Sequence, residues 1–121
     1  MKIAAILLCA FGLLFGQEAP LREGNFNIRF EPTAQLQTAV EVPFRISVND
    51  ARRQPLIQAK VTLQIEMTDG TRVKVYPASA TEPGVYIAKP VFPVSGEWNV
   101  YVEVRRENEM SARTIEFSVP D

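Results

Sequence analysis

Histidine is absent from all 121 residues, and cysteine occurs once, at position 9. The first absence removes the commonest general base, the commonest metal ligand and the side chain whose charge switches near neutral pH. The second excludes an internal disulfide and, if the segment carrying Cys9 is removed, any thiolate nucleophile or thiolate metal site. Ser–Lys catalysis remains formally open, but Lys60, Lys74 and Lys89 fall on predicted strands with no nucleophile motif beside any serine. No catalytic residue is assigned, and the chain reads as a non-enzyme. A net charge of -1 gives no field to draw it onto nucleic acid or an anionic membrane surface. What is present is an ordinary globular composition, 46% hydrophobic and 22% charged, in a length that holds one domain.

The N-terminus sets the compartment. Met1-Lys2 is a short positive start, and Ile3 to Phe15 is apolar without a charge before Gly16-Gln17-Glu18-Ala19-Pro20. This run is shorter than the roughly 20 residues of a membrane-spanning helix and has the form of a secretory signal. Cleavage is expected after Gly16, because a cut after Ala19 leaves Pro20 first; an uncleaved anchor is the alternative. Lipidation at Cys9 is set aside, since Leu8 precedes it and the cysteine comes too early. The expected organisation is a signal peptide over 1–16, a linker over 17–24 and one domain over 25–121. The mature product is read as periplasmic or extracellular, with no membrane insertion after cleavage. Without disulfides, such a domain depends on its hydrophobic core, which roughly a hundred residues can supply.

From residue 25 onward apolar and polar residues alternate with period two, in short runs separated by turn residues. Phe26, Ile28 and Phe30 make the first run. Val40, Val42, Phe44, Ile46 and Val48 make the second, with Pro43 marking an edge, a bulge or a break. Val61, Leu63, Ile65 and Met67 lead into Asp69-Gly70, a strong hairpin signal, and Val73 and Val75 carry the return. Residues 78–82 read as polar loop before the Pro83-Gly84 turn. In residues 84–92 either Tyr86, Ala88 and Phe92 face inward or Val85, Ile87 and Val91 do; the first set is favoured. Trp98, Val100, Val102 and Val104 follow, and after a polar loop over 106–109 come Ile115, Phe117 and Val119. About seven strands with wet outer faces point to an all-β, immunoglobulin-like antiparallel sandwich.

Few residues carry specific chemistry. Copper favours imidazole or thioether ligands, and the domain offers only Met67 and Met110. Met67 continues an apolar register and is read as core; Met110 adjoins a hairpin loop. Asp50, Asp69, Glu107 and Glu109 lack the spacing of a calcium loop and read as solvated turns. No metal site and no cofactor are assigned. Arg52-Arg53, Arg105-Arg106 and Arg113 read as a solvated rim interleaved with Glu103, Glu107, Glu109 and Glu116, without the aromatics of a nucleic-acid groove. Trp98, just after Gly96 and at the start of a valine-rich strand, is read as the residue that fills the middle of the sandwich.

The pattern Gly84-Val85-Tyr86-Ile87-Ala88, Phe92 and Gly96-Glu97-Trp98-Asn99-Val100-Tyr101-Val102 resembles the YtkA-like family, to which FixH-type proteins are related. Ala59 to Met67 is similar to a strand of that family that ends at a methionine. The resemblance covers roughly residues 38–119. It implies an exported β-sandwich with accessory roles near cation efflux or respiratory-oxidase assembly. This chain departs from the pattern in having Thr68-Asp69-Gly70 after Met67, and FixH-type proteins carry a longer N-terminal anchor. The function expected is therefore that of a non-catalytic binding or accessory domain of the bacterial cell envelope, which recognises a protein partner through a sheet edge or loops. The alternative is a periplasmic metal-handling accessory protein.

Overall fold

The computed structural model describes residues 20–121. The signal-peptide, cleavage and lipidation expectations concern residues that lie outside this range. The alternating runs become strands, with side chains pointing to opposite faces in turn. In chain order these are β1 (Arg22–Glu23), β2 (Asn27–Pro32), β3 (Phe44–Asn49), β4 (Lys60–Met67), β5 (Lys74–Pro77), β6 (Ser79–Glu82), β7 (Val85–Ala88), β8 (Gly96–Arg106) and β9 (Glu109–Val119). They form two sheets, one ordered β1-β9-β8-β4-β5 and the other β2-β3-β7-β6. All pairings are antiparallel except β1 on β9. The architecture is the all-β, immunoglobulin-like sandwich expected from the alternation. Among the described residues no helix is long and apolar enough to cross a membrane.

One stripe of each sheet builds the core. Val61, Leu63 and Ile65 of β4 and Trp98, Val100, Val102 and Val104 of β8 face Phe44, Ile46 and Val48 of β3 and Tyr86 and Ala88 of β7. No polar or charged residue is fully buried among the described residues. Each buried aliphatic or aromatic side chain contributes about 1.5–3 kcal/mol relative to exposure, so this stripe is the main source of stability. Aromatic rings join the layers. Phe44 meets Phe117 of the opposite sheet edge-on at 5.5 Å between centroids, and Phe92 meets Trp98 at 5.3 Å.

Two features differ from the sequence reading and two are made specific. The described residues form nine strands rather than about seven, because β1 and β6 lack apolar alternation and owe their strand conformation to β9 and β7. Residues 79–82, expected as polar loop, are β6, exposed along its whole length. The run through Val40 and Val42 is broken at Pro43, and β3 begins only at Phe44. Pro43 lacks an N–H and interrupts the ladder, but the chain before it stays beside the segment after β7: Glu41 bridges Val91 in the register of Phe44 with Ala88, the Val42 N–H donates to the Pro90 carbonyl at 2.9 Å, and Thr38 bridges Phe92. Finally, the hairpin expected at Asp69-Gly70 is present, with a connection longer than that pair. The β4–β5 connection runs from Thr68 to Val73, with Gly70 at φ 87° and Arg72 at φ 57°.

Candidate functional site

The open choice over residues 84–92 is resolved in favour of Tyr86, Ala88 and Phe92, which are buried; Val85 is also covered, while Ile87 and Val91 are half-buried. Tyr86 donates its hydroxyl hydrogen to the Leu56 carbonyl at 2.8 Å, and Trp98 donates Nε1–H to the Val94 carbonyl at 3.1 Å. Each large aromatic thus buries its ring and satisfies its polar atom locally, as a core residue must. Neither is placed to stack on a ligand.

Met67 packs against the core opposite Trp98, whereas Met110 stands opposite Arg105. The length of β8 between those positions, roughly 23 Å at the usual strand rise, separates the two thioethers. Among the described residues no group of three or more His, Cys, Asp or Glu side chains comes together. The aspartates organise turns. Asp50 Oδ1 accepts from the Gln54 N–H at 2.9 Å and the Arg52 N–H at 2.8 Å; the Gln54 bond, followed by the Arg52 contacts, holds its carboxyl below the usual range. Asp69 Oδ1 accepts from the Thr71 hydroxyl at 2.6 Å and the Thr71 N–H at 3.0 Å, which lower its pKa in that order. On the outer face of the larger sheet, burial followed by the nearby Glu103 charge raises the Tyr101 pKa, and its hydroxyl bonds Glu103 Oε1 at 3.3 Å.

The arginines do not form one rim. Arg105 pairs with Glu103 at 3.4 Å, and Arg106 donates to the Ile57 carbonyl at 3.3 Å. Arg113, expected beside them across the final hairpin, instead pairs in register with Val102 and reaches the Ile28 carbonyl of the other sheet at 2.8 Å. Strand alternation sends its side chain to the face opposite that of Arg105.

The sheet edges differ in what they offer. The β2 edge is partly occupied, because Arg113 takes the Ile28 carbonyl and the Ser111 hydroxyl accepts from the Phe26 N–H at 3.2 Å. At the other end of that sheet, β6 is polar and bulged between Ala80 and Glu82, a form that resists strand addition. On the larger sheet, β1 is only two residues long. The remaining edge, β5, carries Val75, 54% exposed, and Val73 just before the strand is 53% exposed. The Ala78 N–H donates to the Val61 carbonyl, and Tyr76 stands opposite Leu63. Antiparallel pairs alternate in hydrogen bonding, so Val75, one position on from Tyr76, points its N–H and C=O away from β4.

Beside this edge lies an apolar groove of about 320 Å³, lined by Ile65, Val73, Tyr76, Val91 and Pro93 with Arg72 and Lys74 at its rim. Tyr76 builds its wall. Its hydroxyl accepts from the Val91 N–H at 3.2 Å and donates to the Val91 carbonyl at 3.4 Å, tying the β7–β8 connection to β5. The Lys74 ammonium lies 5.2 Å from the Tyr76 ring centroid. The sequence placed Val73 and Val75 on the returning strand without showing that they face solvent; the signal was their position after a glycine turn with no apolar partner row beyond them.

A comparison with curated proteins finds no match. The chain is similar in structure to a DUF4426 family protein from Pseudomonas aeruginosa PAO1, with a TM-score of 0.52 and 16% identity over 86% of this chain and 99% of that one. It also matches a lipoprotein from Bacteroides thetaiotaomicron, at a TM-score of 0.41 and 14% identity over 78% of this chain and 81% of that one. The first likeness is one of fold, and it agrees with the two-sheet architecture. In sequence, the family model described as YtkA-like matches residues 19–103, which include the Gly84–Ala88 and Gly96–Val102 patterns. The match spans most of the chain, which therefore belongs to the YtkA-like family.

Proposed function

We propose that this YtkA-like domain is a non-catalytic accessory module of the bacterial cell envelope that binds an extended segment of a protein partner along the β5 edge. The observation that carries the reading is the conjunction at Val75, whose side chain is exposed and whose backbone N–H and C=O point away from the sheet. A partner strand added there gains main-chain hydrogen bonds from Val75. An apolar side chain of that strand can enter the groove over Ile65, which supplies selectivity. Export rests on the N-terminal signal pattern. The lack of histidine, and of any cysteine beyond position 9, favours binding over catalysis.

Site-specific photo-crosslinking in cells tests this reading. With the crosslinker at position 75 of the full-length chain, one reproducible envelope-protein adduct is expected. At position 80 on β6 that adduct is expected to be absent. Equal adducts from both positions, or adducts only with cytoplasmic proteins, would contradict the reading.

A further inference from the structure

On the opposite side of the molecule from the β5 edge, a polar groove runs between the outer face of β2 and β3 and the seam with β9. Strand β2 presents Arg29 and Glu31 outward, and β3 presents Ser47 and Arg45 opposite them in register. Arg29 and Arg45 are therefore diagonal neighbours, about 7–8 Å apart on the backbone. Arg113 enters the same groove from β9. Its bond to the Ile28 carbonyl at 2.8 Å holds the guanidinium in place and uses one of its five N–H donors. The groove encloses about 510 Å³, and Asn27, Ser47 and Asn49 add neutral hydrogen-bonding groups to its lining.

Its positive charge is only partly compensated, by Glu31 opposite Arg45. Among the described residues the ion pairs are Arg22–Glu109 and Arg105–Glu103, so Arg29, Arg45 and Arg113 take part in none. Glu31 is the single carboxylate in the lining, which leaves the groove with an excess of two positive charges. Like charges gathered on one face repel and lower stability, a cost that a bound anion removes.

We propose that this groove binds a phosphate group. A phosphate monoester carries about -1.5 to -2 charges at pH 7, which matches the excess, and its oxygens accept the paired N–H bonds of guanidinium forks. Ser47 and the two asparagines supply further donors without adding charge. The site does not depend on the β5 reading, since it shares no residue with the β5 edge or its groove. The phosphate is borne either by a small soluble molecule or by a lipid headgroup.

Nuclear magnetic resonance of the labelled domain distinguishes these sources. One arm titrates inorganic phosphate; the other adds vesicles of phosphatidic acid, whose headgroup is a phosphate monoester, in phosphatidylcholine. Amide shifts over residues 27–31 and 45–49, together with the side-chain Nε–H signals of Arg29, Arg45 and Arg113, are expected to follow one binding curve. R29Q and R45Q, both at exposed positions, are expected to weaken binding about tenfold each, while R52Q leaves it unchanged. Saturation by inorganic phosphate assigns a soluble ligand. Vesicle binding alone, lost in R29Q and R45Q, assigns a headgroup. No binding in either arm at millimolar phosphate, shifts spread equally over Arg52, Arg53 and Arg105, or unchanged affinity in R29Q and R45Q would overturn the proposal.

Discussion

Gly84 is the residue whose identity the fold constrains most tightly. It sits at φ 76° after Pro83, the arrangement of a tight turn with proline first and glycine second. A Cβ there would lie 2.7 Å from the Pro55 Cβ and 3.0 Å from the Val48 carbonyl oxygen. Its own carbonyl accepts from the Val48 N–H at 2.8 Å, so the turn cannot move away without breaking that bond. Gly84→Ala is expected to cost about 2 kcal/mol or more, combining left-handed backbone strain with the steric conflict. Denaturant unfolding with the slope unchanged and the midpoint lowered is the outcome to look for; an unchanged midpoint would show that the loop at Pro55 yields. At this scale the sequence was partly informative: Trp98 was legible as core from its place on a valine-rich strand, whereas Tyr86 and Phe92 were favoured in a segment whose facing the alternation left open. Sequence could not show that Tyr86 bonds the Leu56 carbonyl thirty positions away, because no local pattern encodes that partner.

Turns and edges are the elements that separate legible from illegible. The β4–β5 hairpin was visible in Asp69-Gly70, but its shape depends on the Asp69 carboxylate, which accepts from both the hydroxyl and the N–H of Thr71. The Asp50 carboxylate organises its loop through Gln54 and Arg52 in the same way. Both aspartates have pKa values lowered by these bonds. A lowered folded-state pKa stabilises the protein above the unfolded value, about 3.9, and that contribution is lost as pH falls through the folded value. The thermal midpoint is thus expected to hold from pH 7 to about pH 4 and to fall below it. In D50N/D69N the decline is expected to be shallower; an identical acid profile would show that the two turns do not report on folding. Strands β1 and β6 were not legible, because a strand without apolar alternation is defined by its neighbour. The grouping of Arg29, Arg45 and Arg113 was hidden for a related reason. It needs the register of one sheet and the approach of the other, and neither is written in local periodicity.

At the scale of the whole molecule, two sheets share one apolar interior and leave two surfaces of different character. The smaller sheet and its seam with β9 gather positive charge, while the far edge of the larger sheet offers an open strand beside an apolar groove. A net charge of -1 conceals that division. The family belongs to the whole sandwich, but the binding reading belongs to β5. Hydrogen exchange on the domain, alone and with the partner isolated through the position-75 crosslink, tests that reading most directly. Slowed exchange is expected at Val75 and its neighbours from Val73 to Tyr76, with β6 unchanged. Protection confined to β6 or to the loops, with Val75 exchanging as fast as in the free domain, would contradict it.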